Sequence, residues 1–140
     1  MRLDNQLCFP LYVCAKEVVR KYKPFLDKID LTYTQYIAMM AMWEHGSLSV
    51  KDLGDLLYLD SGTLTPLLKK LEEKGYITRS RDPNDERVLM VSLAPGGEAL
   101  KEDAKDVPAS VGSCIDLPLE DVMELSRILR KMMAGFSDRR

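Results

Sequence analysis

Apolar residues in the first part of the chain return at helical spacing. Leu7, Leu11, Ala15, Val18, Val19, Tyr22 and Leu26 fall on one face of a helix expected over Leu7 to Leu26. Pro10 fits in a first turn, where a missing N–H removes no intrahelical bond, so the regular helix begins just before it. A second helix opens at Thr32, because Thr32-Tyr33-Thr34-Gln35 has the spacing of a capping box. It runs through Ile37, Met40 and Trp43 and stops at Gly46. Ser49-Val50-Lys51-Asp52 repeats that signal and opens a short helix carrying Leu53, Leu56 and Leu57. Asp60 is the expected cap of a fourth helix, with Leu64, Leu67, Leu68 and Leu71 on its apolar face and Gly75 just past its end. Trp43, Met39, Met40 and Met42 read as helical core rather than as a ligand pocket. His45 reads as a cap-side charge at its helix end.

The period then changes. Tyr76–Arg81 and Val88–Leu93 read as two strands, and Asp82-Pro83-Asn84-Asp85-Glu86-Arg87 between them is turn chemistry, so this stretch is a hairpin. After Pro95-Gly96-Gly97 a helix resumes from about Glu98, with a break around Val107-Pro108 and Ser110–Gly112. A last helix has Pro118 in its first turn and carries Val122, Met123, Leu125, Ile128, Leu129 and Met132. This order predicts a mainly α protein: a winged helix-turn-helix with a two-stranded β wing, flanked by N- and C-terminal helices. The winged region spans 32–93, the flanking helices 1–30 and 98–140, all within one domain, 1–140.

Composition narrows the function. At 140 residues, 46% hydrophobic and 30% charged, the chain has the profile of one globular domain. With no apolar leader and no run long enough for a membrane helix, it is expected in the cytoplasm and away from membranes. One histidine, no metal-spaced Cys/His cluster and no Gly-rich phosphate loop argue against a metal, a nucleotide or any other cofactor. Three cysteines, Cys8, Cys14 and Cys114, are too few for a secreted disulfide framework.

A helix-turn-helix implies double-stranded DNA as partner. Ser61, Thr63 and Thr65 begin the expected recognition helix, whose N-terminal residues reach base edges and phosphates. Lys69 and Lys70 are placed for phosphates. Arg79 and Arg81 on the wing strand and Arg87 near its tip suit phosphate and minor-groove contacts. Residues 49–93 hold seven Lys and Arg against eight Asp and Glu, so affinity has to come from placement rather than bulk charge.

Three stretches carry a family resemblance: Leu3-Asp4-Asn5-Gln6-Leu7-Cys8-Phe9, Leu31-Thr32-Tyr33-Thr34-Gln35-Tyr36, and the run from Leu56 to Glu72 that includes Asp60-Ser61-Gly62-Thr63-Leu64-Thr65-Pro66. Through them the chain resembles the organic-hydroperoxide repressors of the MarR superfamily. The wing sequence Arg81-Asp82-Pro83-Asn84-Asp85-Glu86-Arg87 resembles the wider superfamily. Beyond Leu100 the likeness is architectural only. The resemblance implies a homodimer joined through its N- and C-terminal helices and bound to an inverted-repeat operator. It implies that Cys8 is the peroxide-reactive thiol, that Tyr22 and Tyr33 contact it, that an organic hydroperoxide is the inducer, and that Asp85 orients Arg87.

Position agrees with the role of Cys8. In a helix's first turn, free backbone N–H groups and the macrodipole favour negative charge, and the thiolate is the form that attacks a peroxide. Tyr22 lies fourteen residues further on, about 21 Å along one helix. If Tyr22 bonds the Cys8 sulfur, it must do so from the other subunit. Cys14, six residues after Cys8, lies roughly 10 Å away on another face, beyond the ~7 Å reach of a disulfide, and reads as packing. Within the resembled family Cys8 sulfenic acid has two fates: a disulfide with Cys114 of the partner subunit, which is favoured, or a cap from a small thiol. The rival readings are a repressor induced by a small phenolic ligand with an inert Cys8, a thiol peroxidase, and an interaction protein without DNA binding. A peroxidase is disfavoured, because no Thr/Arg constellation surrounds Cys8 in sequence and the DNA-reading half would be unused; the chain is expected not to be an enzyme.

Overall fold

In the computed structural model, which describes residues 1–137, seven α-helices and three short strands follow a single 3-10 turn at Leu3–Asn5. The helices are α1 (Cys8–Asp27), α2 (Tyr33–His45), α3 (Val50–Leu57), α4 (Ser61–Glu73), α5 (Pro95–Ala104), α6 (Val107–Gly112) and α7 (Leu119–Ser137). The strands are β1 (Ser47–Ser49), β2 (Ile77–Asp82) and β3 (Asp85–Leu93), in the order β1-β3-β2, all antiparallel. The architecture is the expected mainly helical winged helix-turn-helix. The last three residues of the expected 98–140 segment lie outside the described residues.

Local chemistry sets the helix starts. Thr32 Oγ1 accepts from the Gln35 N–H at 3.2 Å, and Gln35 Oε1 accepts from the Thr32 N–H at 3.0 Å, closing the capping box on α2. Ser49 caps α3 through the Asp52 N–H at 3.0 Å, and Asp60 caps α4 through the Thr63 N–H at 2.8 Å. Gly46 (φ 76°) and Gly75 (φ 79°) follow α2 and α4 in the left-handed half of backbone space, where a side chain would strain the turn. The core gathers around α2. Met39 and Met42 are fully enclosed with Leu53, Leu64, Leu68, Leu71, Ile77 and Val91, while Met40 points to solvent.

Several features differ from expectation, among them the last helix, which begins at Leu119 with Pro118 just ahead of its first turn. The turn is only Pro83-Asn84, because the Asp82 carboxylate accepts from the Asn84 N–H at 2.9 Å and pulls the chain back at once; Asp85, Glu86 and Arg87 are therefore strand. Ser47–Ser49 adds a third strand, pairing Ser47, Leu48 and Ser49 with Ser92, Val91 and Met90. The break near 107 falls instead at Lys105-Asp106, and Val107–Gly112 is helical with Pro108 in its first turn. Most instructive, Pro95-Gly96-Gly97 is not a break but the first turn of α5. Proline at N1 presets the helix, and the glycines serve a close approach. A Cβ on Gly97 would lie 2.2 Å from the Tyr76 carbonyl oxygen, and one on Gly96 would lie 2.6 Å from that of Gly75. The Trp43 Nε1–H donates to the Gly97 carbonyl at 2.8 Å and fixes this contact from the other side.

Gly97→Ala should accordingly cost about 1–3 kcal/mol, the usual range for overpacking. Gly112→Ala, where an added Cβ meets nothing within 4 Å, should be close to neutral. Thermal melts of the two variants check this, and equal midpoints would refute the close-approach explanation.

The outer helices are unevenly covered. Leu26 is the only buried residue of α1, and no residue from Leu119 to Phe136 on α7 is buried. Leu7 just before α1, Phe9, Leu11, Val18 and Val19 on it, and Val122, Met123, Leu125, Ile128 and Phe136 on α7, stand in solvent in the single protomer. No helix among the described residues is long and apolar enough to cross a membrane.

Candidate nucleic-acid interface and thiol site

The helix-turn-helix consists of α3, a left-handed Tyr58 (φ 58°) that turns the chain, and α4. Ser61, Thr63 and Thr65 are exposed along the start of α4, with Lys69 and Lys70 exposed further on, while Leu64, Leu67, Leu68 and Leu71 anchor the opposite face. The Asp60 carboxylate lies below its ordinary range, held first by the Thr63 N–H, so this cap stays ionised. The Thr63 hydroxyl bonds the same carboxylate, so Asp60 holds both the backbone and the side chain of this residue at the helix end.

The wing carries a built arginine. Arg87 donates from Nε to Asp85 Oδ1 at 3.0 Å and from Nη2 to Oδ2 at 3.2 Å, and its own N–H reaches Oδ1 at 3.1 Å. That fork lowers the Asp85 carboxyl and raises Arg87. Arg87 remains 91% exposed, so it is oriented without being buried. Arg81 is exposed on β2. Arg79 is placed differently from Arg81 and Arg87. Its Nε and Nη2 bind Glu72 Oε1 at 3.3 and 3.0 Å, and its backbone N–H binds Glu72 Oε2 at 3.0 Å, which pins the wing's first strand to α4. Sequence reading missed Glu72 in this role; an acidic residue late in a helix gives no local sign of a partner seven positions on.

Tyr22 from α1 and Tyr33 from α2 are brought together, ring centroids 4.9 Å apart. Tyr36, not singled out from sequence, packs on both at 5.7 and 6.5 Å and leads on to Trp43 at 6.5 Å. Burial raises the phenol pKa of Tyr22, Tyr33 and Tyr36 above the usual value, so all three stay neutral hydrogen-bond donors. Neither the Tyr22 nor the Tyr33 hydroxyl finds an acceptor among the described residues. Cys8 opens the same unbroken helix that carries Tyr22, so the fourteen-residue separation holds at about 21 Å. Within one protomer, the thiol and the tyrosine pair do not meet.

All three cysteines are exposed and unpaired in the protomer. That corrects the reading of Cys14 as packing: it lies on a side of α1 that its own chain leaves open. Cys114 sits just after α6, its thiol directed at the Ser110 carbonyl at 3.4 Å.

Known proteins bear on this arrangement. The MarR family model matches residues 31–89. The chain is 47% identical to the organic hydroperoxide resistance transcriptional regulator of Bacillus subtilis over 133 residues, 95% of this chain and 90% of that protein. Among solved structures it is similar to reduced AbfR bound to DNA, with a TM-score of 0.81, 30% identity, and 99% of this chain and 94% of that one covered. It is similar also to disulfide-formed AbfR, at 0.67 and 33%, covering 95% and 93%. AbfR is a protein of Staphylococcus epidermidis.

Proposed function

The chain belongs to the MarR family, and from that premise we propose that it is a homodimeric transcriptional repressor that releases its operator when Cys8 is oxidised by an organic hydroperoxide. The observation that carries this reading is the divided site. Tyr22 and Tyr33 are neutral donors that face no acceptor among the described residues, while the one thiol that opens a helix lies about 21 Å from Tyr22 along α1. A second subunit resolves the mismatch by bringing the partner's Cys8 to Tyr22 and Tyr33. The exposed apolar faces of α1 and α7 are the surfaces such a subunit would cover, since a lone soluble domain rarely leaves so much apolar surface in water.

The chemistry is a two-electron transfer. Cys8 thiolate attacks the distal oxygen of ROOH, the O–O bond breaks, and RO⁻ leaves and takes a proton to become ROH, with Cys8 left as sulfenic acid. A tyrosine hydroxyl bonded to the sulfur holds it in line for attack. A second thiol then attacks the sulfenic sulfur and expels water, forming a disulfide. Cys114 of the partner subunit is our choice for that thiol, supported by its exposure and by the disulfide-formed state of AbfR.

On the DNA side, Ser61, Thr63 and Thr65 enter the major groove, Lys69, Lys70 and Arg81 meet phosphates, and Arg87, aimed by Asp85, enters the minor groove. Arg79 supports the wing through Glu72 and meets phosphate with what remains of its guanidinium. Selection from a random duplex pool with reduced protein should return an inverted repeat whose half-sites lie about 34–36 Å apart. Cumene hydroperoxide should release that duplex; retention by protein whose Cys8 is shown by mass spectrometry to be oxidised would defeat the proposal.

Arg87→Ala should weaken binding to the selected duplex without unfolding the protein, because the side chain is almost wholly exposed. Loss of one ionic contact per subunit should also flatten the plot of log affinity against log salt by about 0.9 per contact. Salt titrations of both proteins measure this. An unchanged slope and affinity would remove Arg87 from the interface.

A further inference from the structure

The C-terminal end of α4 carries a second fixed contact, directed away from the wing. Lys74, the residue that caps α4, donates from Nζ to the Asp30 backbone carbonyl and, at 3.4 Å, to Gln35 Oε1, and it lies 3.4 Å from the Asp30 carboxylate. Its side chain is only 26% exposed. The two partners flank the entry to the tyrosine-bearing helix α2, one before it and one in its first turn. Asp30 is left-handed (φ 54°) in the connection between α1 and α2, and Gln35 is the buried member of the Thr32 capping box. One oxygen, Gln35 Oε1, thus accepts from the Thr32 N–H at 3.0 Å and from Lys74. Tyr33 lies between Thr32 and Gln35, at the first position of α2. Two residues before Lys74, Glu72 holds Arg79 of the wing.

From these contacts we infer that Lys74 is a positioning residue that couples the Tyr22–Tyr33 site to the recognition helix. The inference rests on the function proposed above. The cap that sets the Tyr33 backbone and the cap that ends α4 share one ammonium group. A displacement of Tyr33 that shifts the Thr32–Gln35 box therefore either drags the end of α4 with it or breaks three polar contacts around a largely covered charge. Because Glu72 ties α4 to β2, the displacement reaches the wing as well. Lys74 touches neither the thiol nor the expected DNA face, so its contribution lies in transmission.

The test compares operator affinity of the dimeric protein before and after oxidation, for wild type, Lys74→Met and Lys74→Arg, with the selected duplex as probe. Mass spectrometry verifies that Cys8 is oxidised equally in all three. Wild type should show an affinity ratio of about 5–150-fold, the common span for coupled sites. Lys74→Met keeps the aliphatic stem but loses the donors, and its ratio should fall toward one although Cys8 is fully oxidised. Lys74→Arg retains a cationic donor and should restore most of the ratio. A purely structural lysine would lower the melting temperature and both affinities together, leaving the ratio at the wild-type value; that result overturns the inference. If oxidised wild type itself keeps its DNA, the proposed function fails and the coupling role fails with it. A normal wild-type ratio that persists in Lys74→Met defeats the coupling role alone.

Discussion

Cys8→Ser should bind the operator as tightly as reduced wild type and should not let go when hydroperoxide is added. The effect is expected to be complete rather than graded. A serine hydroxyl nearly matches the thiol in shape, so helix α1 and its first turn survive. At neutral pH it is neither anionic nor oxidisable, so attack on the O–O bond is lost at its first step. Cys8 is exposed in the protomer, and no core contact is removed by the change. Cumene or t-butyl hydroperoxide titrated against a fluorescent operator duplex provides the measurement. Cys114→Ser separates the two fates of the sulfenic acid. With Cys114 resolving, oxidised wild type runs as a covalent dimer on a non-reducing gel and this variant does not. If the variant instead releases DNA once a small thiol is supplied, the mixed-disulfide route is the operating one. A Cys8→Ser protein that responds like wild type would eliminate the thiol sensor and favour a repressor induced by a small ligand.

What could be read from the chain, and what could not, divides along the range of the interactions. Capping is local chemistry: Thr32 with Gln35, Ser49 with Asp52 and Asp60 with Thr63 each lie three positions apart, and each bond is present. The apolar faces of α2 and α4 follow from periodicity for the same reason. Strand β1 has only three residues and no pattern of its own; it exists because Ser47–Ser49 lies beside Met90–Ser92. Pro95-Gly96-Gly97 looked like punctuation, since the reason for its glycines is the backbone of Gly75 and Tyr76, some twenty residues earlier.

The functional site divides in the same way. The Asp85–Arg87 fork spans two positions and was expected, whereas Glu72 with Arg79 and Lys74 with Asp30 and Gln35 join separate elements and left no trace in the local sequence. Tyr22 and Tyr33 were named through the resemblance, and the structure adds what the resemblance did not, the packing of Tyr36 against both. The proposed thiol site is the extreme case: Cys8 and the tyrosine pair lie on one chain whose unbroken α1 holds Cys8 about 21 Å from Tyr22.

Leu125→Glu combined with Ile128→Glu should therefore abolish two properties at once. Both side chains are exposed in the protomer and lie three residues apart on one face of α7, so the substitution leaves the protomer's own core intact. In a dimer that buries this face, four carboxylates would enter an apolar interface without partners, a desolvation cost that opposes association. The protein should become a folded monomer, recognisable by unchanged circular dichroism and a halved mass in sedimentation. Operator affinity should then fall by about 10²–10⁴-fold, because each head must find its half-site separately once the tether is gone. The rate of Cys8 oxidation by hydroperoxide should fall in the same preparation, since the thiol would lose the partner's Tyr22 and Tyr33. The rate matters as much as the affinity. A monomer that loses DNA affinity but oxidises at the wild-type rate would show that the thiol site is complete within one chain, and the interfacial account of the sensor would have to be abandoned even though the dimeric account of DNA binding stood.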